Sequence, residues 1–142
     1  MMEAITIPKH YFMGYYYKNE NPDNKFVDDC VIRAIATATG KSWDDIYWEL
    51  SVQGFNDKDK LDGNTVWGKY LMHNGFQAHR LPDTCPFCYT VKDFVRDHPH
   101  GIYLVGDGAH LVAVVDGLYI DNWDSGDRTV HFYFEKQRFS YQ

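Results

Sequence analysis

Cysteine is scarce in this sequence: its three cysteines are too few, and odd in number, for the disulfide framework that stabilises small secreted domains. The sequence also lacks an uninterrupted apolar run of about 18 residues, which a membrane-spanning helix requires. Residues 1–8 lack the charged start and apolar core of a signal peptide. These absences predict a cytoplasmic protein with reduced thiols and no membrane segment.

Positive charge is also in short supply. The 14 Lys and Arg residues are outnumbered by 20 Asp and Glu, the formal net charge is −6, and the basic residues are scattered. Without a basic stripe to neutralise phosphates, the chain is not expected to bind nucleic acid. Aromatic residues are abundant, and 142 residues suffice for one domain, residues 1–142, with a substantial core.

The patterns along the chain predict helices before strands. Three helices are expected between start signals and glycines, over residues 30–40, 42–54 and 64–75. A short helix is expected over residues 90–98, and strands over residues 76–81, 102–105, 110–115, 118–123 and 129–134. Residues 5–17 are expected to add an edge strand or to cover the core. This order predicts an α+β fold.

Cys30 stands at the start of the first predicted helix. The free N–H groups and the dipole at a helix start favour a thiolate over a thiol, which makes Cys30 a candidate nucleophile. The neighbouring Asp28 and Asp29 act against this, unless one caps the helix and the other faces solvent. The alternative is a small buried side chain with no chemical role.

The predicted hairpin around Asp116 and Gly117 supplies two further candidates. A two-residue type I′ turn places Val115 opposite Leu118, and the same register places His110 opposite Trp123. Asp121 is then a diagonal neighbour of His110, at about 7–8 Å between backbones, within reach of the imidazole.

An aspartate in this position would orient the His110 ring and leave its second nitrogen to face a nucleophile. Trp123 would shield that bond from water. Asn122 points away in this register and Asp124 lies beyond the pair, so both rank below Asp121, although a bulge near Asn122 would reverse the ranking.

The order of these motifs resembles that of papain-like cysteine peptidases and is similar to the C39-type peptidases of bacteria and phages. The motifs are Asp29-Cys30 with the helical run after it, residues 108–117 around His110, and residues 121–125. The resemblance implies a nucleophile helix packed on a C-terminal antiparallel sheet, and a phage or prophage origin. Cys30 would be the nucleophile, His110 the general base and then acid, Asp121 the orienting residue, and Trp123 the covering ring.

The implied activity is hydrolysis of a peptide or isopeptide bond in a protein or peptide substrate, through an acyl-enzyme and without a cofactor. In the family a Gln about six residues before the Cys donates to the oxyanion; here that position holds Asn24, whose amide is shorter. Losing one such donor typically costs about 10²–10³ in rate. Two alternatives therefore stay open: a non-catalytic protein-binding module on the same fold, and an acyltransferase that uses the same thioester step.

Cys85-Pro-Phe-Cys88 has the spacing of a redox pair or of half a zinc site. A redox pair is expected at a helix start, whereas the helix here starts after the pair, near Thr90. Zinc would need two more ligands, and the nearby His98 and His100 are spaced unlike those of structural fingers. His79 is a weaker choice. The favoured interpretation is a loop with partly buried thiols, although an occasional Cys85–Cys88 disulfide is not excluded.

Overall fold

The computed structural model describes residues 14–137, which form a mixed α+β fold with four helices and one six-stranded sheet. The predicted strand segment 5–17 lies outside the described residues except for its last four. None of the described helices is long and apolar enough to cross a membrane. The helices are α1 Cys30–Thr39, α2 Trp43–Asp57, α3 Asn64–His73 and α4 Val91–Asp97; the strands are β1 Gly14–Tyr17, β2 Phe76–Arg80, β3 Ile102–Gly106, β4 Leu111–Val115, β5 Leu118–Asp121 and β6 Phe132–Lys136.

The sheet has the strand order β1-β5-β4-β3-β6-β2. Four of its five neighbouring pairs are antiparallel, as predicted, but β1 runs parallel to β5. The helices and most of the strands lie between these two strands in the chain, which satisfies the long connection that a parallel pair needs. β1 and β2 are the edges of this sheet.

The hairpin register is confirmed over the pairs nearest the turn. Val115 lies opposite Leu118, and the next pairs are Val114–Tyr119 and Ala113–Ile120. Both turn residues have positive φ, 46° at Asp116 and 83° at Gly117, as a type I′ turn requires. The predicted strands were too long at their far ends, since β4 begins after His110 and β5 ends before Trp123.

Helix α1 begins at Cys30 and ends at Thr39, and the predicted stop Gly40 caps it in the left-handed conformation, with φ 74°. Ser42 caps α2 by accepting from the backbone N of Asp45 at 3.1 Å. The predicted end of α2 at Gly54 is wrong, because the helix continues to Asp57. Gly54 is instead a site of close packing, since a Cβ there would lie 2.8 Å from the carbonyl oxygen of Asp59.

Alternating residues of β4 separate two layers of the core. Leu111 and Ala113 pack with the first three helices, whereas Val112 and Val114 pack with Phe94 of α4. Helix α1 lies over β4. The start of α1 and the start of β4 therefore come together at one end of the sheet.

Gly106 allows β3 to pass close to the start of β4, because a Cβ at this position would collide with the carbonyl oxygen of His110. We expect Gly106→Ala to lower the free energy of unfolding by about 1–3 kcal/mol, as overpacking does. Urea unfolding followed by circular dichroism measures this change.

Gly68→Ala is the matched control, since a Cβ there makes only an ordinary contact, 3.9 Å from Phe134. This position lies within α3, where Ala is favoured over Gly by about 1 kcal/mol, so the control should not be destabilised. Equal effects of the two substitutions would contradict the packing assigned to Gly106.

Candidate active site

Cys30 and His110 line one cleft of about 130 Å³ at the end of the sheet. Cys30 is the first residue of α1, and His110 immediately precedes β4. Asp107 holds the turn before β4, because its Oδ1 accepts from the backbone N of Ala109 at 2.9 Å and of His110 at 3.0 Å. A helix start and a strand start thus present a thiol and an imidazole to the same space.

Asp121 is the partner of the His110 ring. Nε2 of His110 donates to Oδ2 of Asp121 at 2.7 Å, and Ser125 Oγ donates to the same oxygen at 2.8 Å. Oδ1 accepts from Arg33 Nη1 at 2.6 Å and from the backbone N of Asn122 at 2.8 Å. Burial alone would raise the pKa of Asp121, but the hydrogen bonds from His110, Ser125 and Arg33 lower it, so the carboxyl is ionised at neutral pH.

Arg33 connects this aspartate to a second buried one, Asp29. Its Nε donates to Asp29 Oδ1 at 2.7 Å, and its side chain is only 8% exposed. Asp29 Oδ2 accepts from Asn21 Nδ2 at 3.1 Å and from Trp43 Nε1 at 3.0 Å. The four residues Asp29, Arg33, Asp121 and His110 therefore form a continuous buried charge network.

This network offsets the charge of one of the two aspartates that precede Cys30. Arg33 neutralises Asp29, whereas Asp28 is exposed and lines the cleft together with Cys30. Of the condition that one aspartate caps the helix and the other faces solvent, only the second half is met: Asp28 is exposed, but Asp29 makes no capping hydrogen bond with its side chain. Sequence reasoning missed Arg33, although its spacing of four residues from Asp29 is a usual signal for a helical ion pair.

The environment of His110 favours the imidazolium. Burial alone lowers its pKa, but hydrogen bonds to Asp121 and Cys30 raise the pKa to about 9. Since Nε2 is bonded to Asp121, Nδ1 is the nitrogen left for Cys30. Trp123 lies against the ring with centroids 4.9 Å apart and is itself 44% exposed, so it covers His110 from the solvent side.

The neighbours that ranked below Asp121 have other partners. Asp124 accepts hydrogen bonds from the hydroxyl of Tyr119 and from the backbone N of Gly126. Asn122 is buried and contributes its backbone N–H to Asp121. Of Asp121, Asn122 and Asp124, only Asp121 is hydrogen-bonded to the His110 ring in the described part of the chain.

Asn24 is not among the residues that line the cleft. It lies in an exposed loop with φ 55°, and its Oδ1 accepts from Asn19 Nδ2 at 3.2 Å. The side-chain amide that does line the cleft is that of Asn64, which donates to the carbonyl of Gly108 at 3.3 Å. The first N–H groups of α1 lie at the same place and have no carbonyl partner within the helix.

Cys85 and Cys88 form a disulfide, so the expectation of reduced thiols is wrong for this pair. A tight turn brings them together: Asp83 Oδ1 accepts from the backbone N of Cys85, and the two Cα atoms are 4.2 Å apart. Because both sulfurs are in the disulfide, neither can bind zinc. The ring of His98 stacks on that of Phe94, with centroids 3.8 Å apart, and His100 is exposed. No group of three potential metal ligands occurs within residues 14–137.

Cys30 is the one free cysteine among the chain's three. Comparisons with protein-family models, curated proteins and solved structures found no match for this chain.

We expect Arg33→Met to lower the free energy of unfolding by about 3–5 kcal/mol at pH 7, because it leaves Asp29 buried without a countercharge and Asp121 with His110 as its only one. The pKa of Asp121 is lowered in the folded protein. Its contribution to stability is therefore present above about pH 4 and is lost as the pH falls further, so the variant and the wild type should converge in acid. Urea unfolding between pH 3 and pH 7 measures both effects.

The matched control is Lys41→Met, which removes the exposed ion pair between Lys41 and Glu49. Such pairs contribute at most about 1 kcal/mol. An Arg33→Met protein that is no less stable at pH 7 than the Lys41→Met protein would contradict the role assigned to the network.

Proposed function

We propose that this protein is a cysteine hydrolase of papain-like arrangement that cleaves a peptide or isopeptide bond. Cys30 is the nucleophile, His110 the acid and base, and Asp121 the residue that orients His110. The observation that carries the proposal is the buried 2.7 Å hydrogen bond between His110 and Asp121 beside the only free thiol, which opens a helix.

In the first half of the reaction, the thiolate of Cys30 attacks the substrate carbonyl carbon and forms a C–S bond. The carbonyl oxygen becomes an oxyanion, which accepts hydrogen bonds from the N–H groups at the start of α1 and from the Asn64 amide, whose nitrogen also donates to Gly108. The Nδ1–H of His110 gives its proton to the leaving nitrogen as the C–N bond breaks.

In the second half, water attacks the thioester while His110 takes its proton. The C–S bond breaks, the acid leaves, and the thiolate is restored beside the imidazolium. An acyltransferase would differ only at this stage, with an amine in place of water.

Arg33 acts through Asp121 and is a positioning residue. It holds one carboxylate oxygen at 2.6 Å, so that the other oxygen stays aimed at His110 Nε2. With Nε2 fixed as a donor to Asp121, the ring keeps the orientation in which Nδ1 faces Cys30.

Protein binding without catalysis is a second candidate, and a separate surface favours it. Trp48, Val52 and Phe55 recur at helical spacing on α2 and are 70%, 44% and 73% exposed. Exposed apolar stripes of this kind are common at protein interaction sites. The reactivity of Cys30 distinguishes the two candidates, since binding alone needs no activated thiol.

We expect iodoacetamide to alkylate Cys30 at pH 6 at least about ten times faster in the folded protein than in urea, because an ordinary thiol with pKa near 8.5 is almost fully protonated there. His110→Ala should remove the difference. The measurement is the rate of mass increase on the intact protein with its disulfide retained, so that Cys30 is the only reactive thiol.

His73→Ala, which removes an exposed histidine at the end of α3, is the control and should react like the wild type. Equal rates for folded and unfolded protein would overturn the activated thiol and leave the binding function. A Cys30→Ala protein that retained hydrolysis would end the assignment of the nucleophile.

A further inference from the structure

A larger cavity adjoins the cleft that holds Cys30 and His110. Its volume is about 500 Å³, and Asn64 and Trp67 of α3 line both spaces. This cavity, called here the side pocket, therefore shares part of its wall with the cleft, and the two neighbouring spaces together are called the groove.

The floor of the side pocket is apolar. Strands β2 and β6 pair so that Ala78 lies beside Phe134 and Arg80 beside Phe132. Trp67 packs against both phenylalanines, with ring centroids 5.8 Å from Phe132 and 5.4 Å from Phe134. The small side chain of Ala78 leaves space among these rings, which suits an apolar group of substantial size.

The rim of the side pocket carries positive charge, opposite to the net charge of the chain. Arg80 lines the pocket and is exposed, and its guanidinium has no carboxylate partner within residues 14–137. The cleft around Cys30 has the opposite character, since Asp28 and Asp62 line it. A planar guanidinium beside aromatic rings is suited to bind a carboxylate that accompanies an apolar group.

We propose that the side pocket selects the substrate: it takes a bulky apolar side chain, and Arg80 binds a carboxylate on the adjacent residue. The substrate class is then a peptide in which an aromatic or large aliphatic residue lies next to Asp or Glu near the bond to be cleaved. This inference rests on the proposed function for its meaning, although binding in the groove can be measured without turnover.

The test is protection of Cys30 from iodoacetamide by short peptides with blocked ends. Four alanine-based peptides carry Phe-Glu, Phe-Gln, Gly-Glu or Gly-Gln at their centre, and the initial rate of alkylation is followed by intact mass. At pH 9 an ordinary thiol is largely ionised, so the assay works whether or not Cys30 is activated. The Phe-Glu peptide should slow alkylation at concentrations about ten-fold lower than the Gly-Glu peptide, as expected for burial of one large apolar side chain.

Two substitutions separate the apolar and the charged parts of the pocket. Ala78→Trp fills the pocket and should abolish the advantage of Phe over Gly, whereas Arg80→Gln should make the Phe-Glu and Phe-Gln peptides equal. The control for Ala78→Trp is Gln77→Trp, because the side chain of Gln77 projects from the opposite face of β2. The control for Arg80→Gln is Arg96→Gln, which makes the same charge change on α4, outside the groove. Both controls should behave like the wild type.

The inference is overturned if all four peptides protect wild-type Cys30 equally or not at all, or if Ala78→Trp leaves the preference for Phe intact. Equal effects of Arg80→Gln and Arg96→Gln would overturn the carboxylate site. The rate at pH 6 without peptide, and its dependence on His110, reports separately on the proposed function. A failed side pocket and a failed nucleophile therefore give different results.

Discussion

The buried carboxylate of Asp121 is the point on which the site and much of the fold depend. Its two oxygens accept four hydrogen bonds, from a helix, a strand start, and two positions just after β5. Its backbone carbonyl also accepts hydrogen bonds from the backbone N of Lys18 at 3.0 Å and from the Tyr15 hydroxyl at 3.1 Å. These two bonds attach β1 and the residue after it to Asp121. A charge removed from water is tolerated only when its partners are in place, so these segments are held in register with one another.

Arg33 makes this arrangement possible by joining two carboxylates across the interface between α1 and the sheet. With His110 protonated, the network holds two negative and two positive charges. The same bonds that balance charge fix the His110 ring beside Cys30, so stability and orientation have a common cause. Catalysis of the proposed kind needs this rigidity, because the imidazole has to present one nitrogen to the thiol throughout the reaction.

Local signals in the sequence predicted the features that depend on neighbouring residues. The start of α1 at Cys30, the cap at Ser42 and the turn at Asp116 and Gly117 follow from short-range backbone chemistry, and the hairpin register brought Asp121 within reach of His110. Tertiary contacts decided the rest. Helix α2 continues past Gly54, which packs closely against the loop that follows the helix. Strand β1 joins β5 across most of the chain, and Arg33 reaches Asp121 only when α1 lies on the sheet. The spacing of Cys85 and Cys88 left their state open, and a local turn brings them into a disulfide.

The buried network keeps His110 protonated beside Cys30, and an NMR titration of the His110 ring measures this directly. The ring signals are assigned by their loss in a His110→Gln protein. We expect the imidazolium to persist through neutral pH and to titrate with a pKa of about 9, because Asp121 and Cys30 outweigh the effect of burial. Titration near the ordinary histidine value of about 6.5 would contradict it.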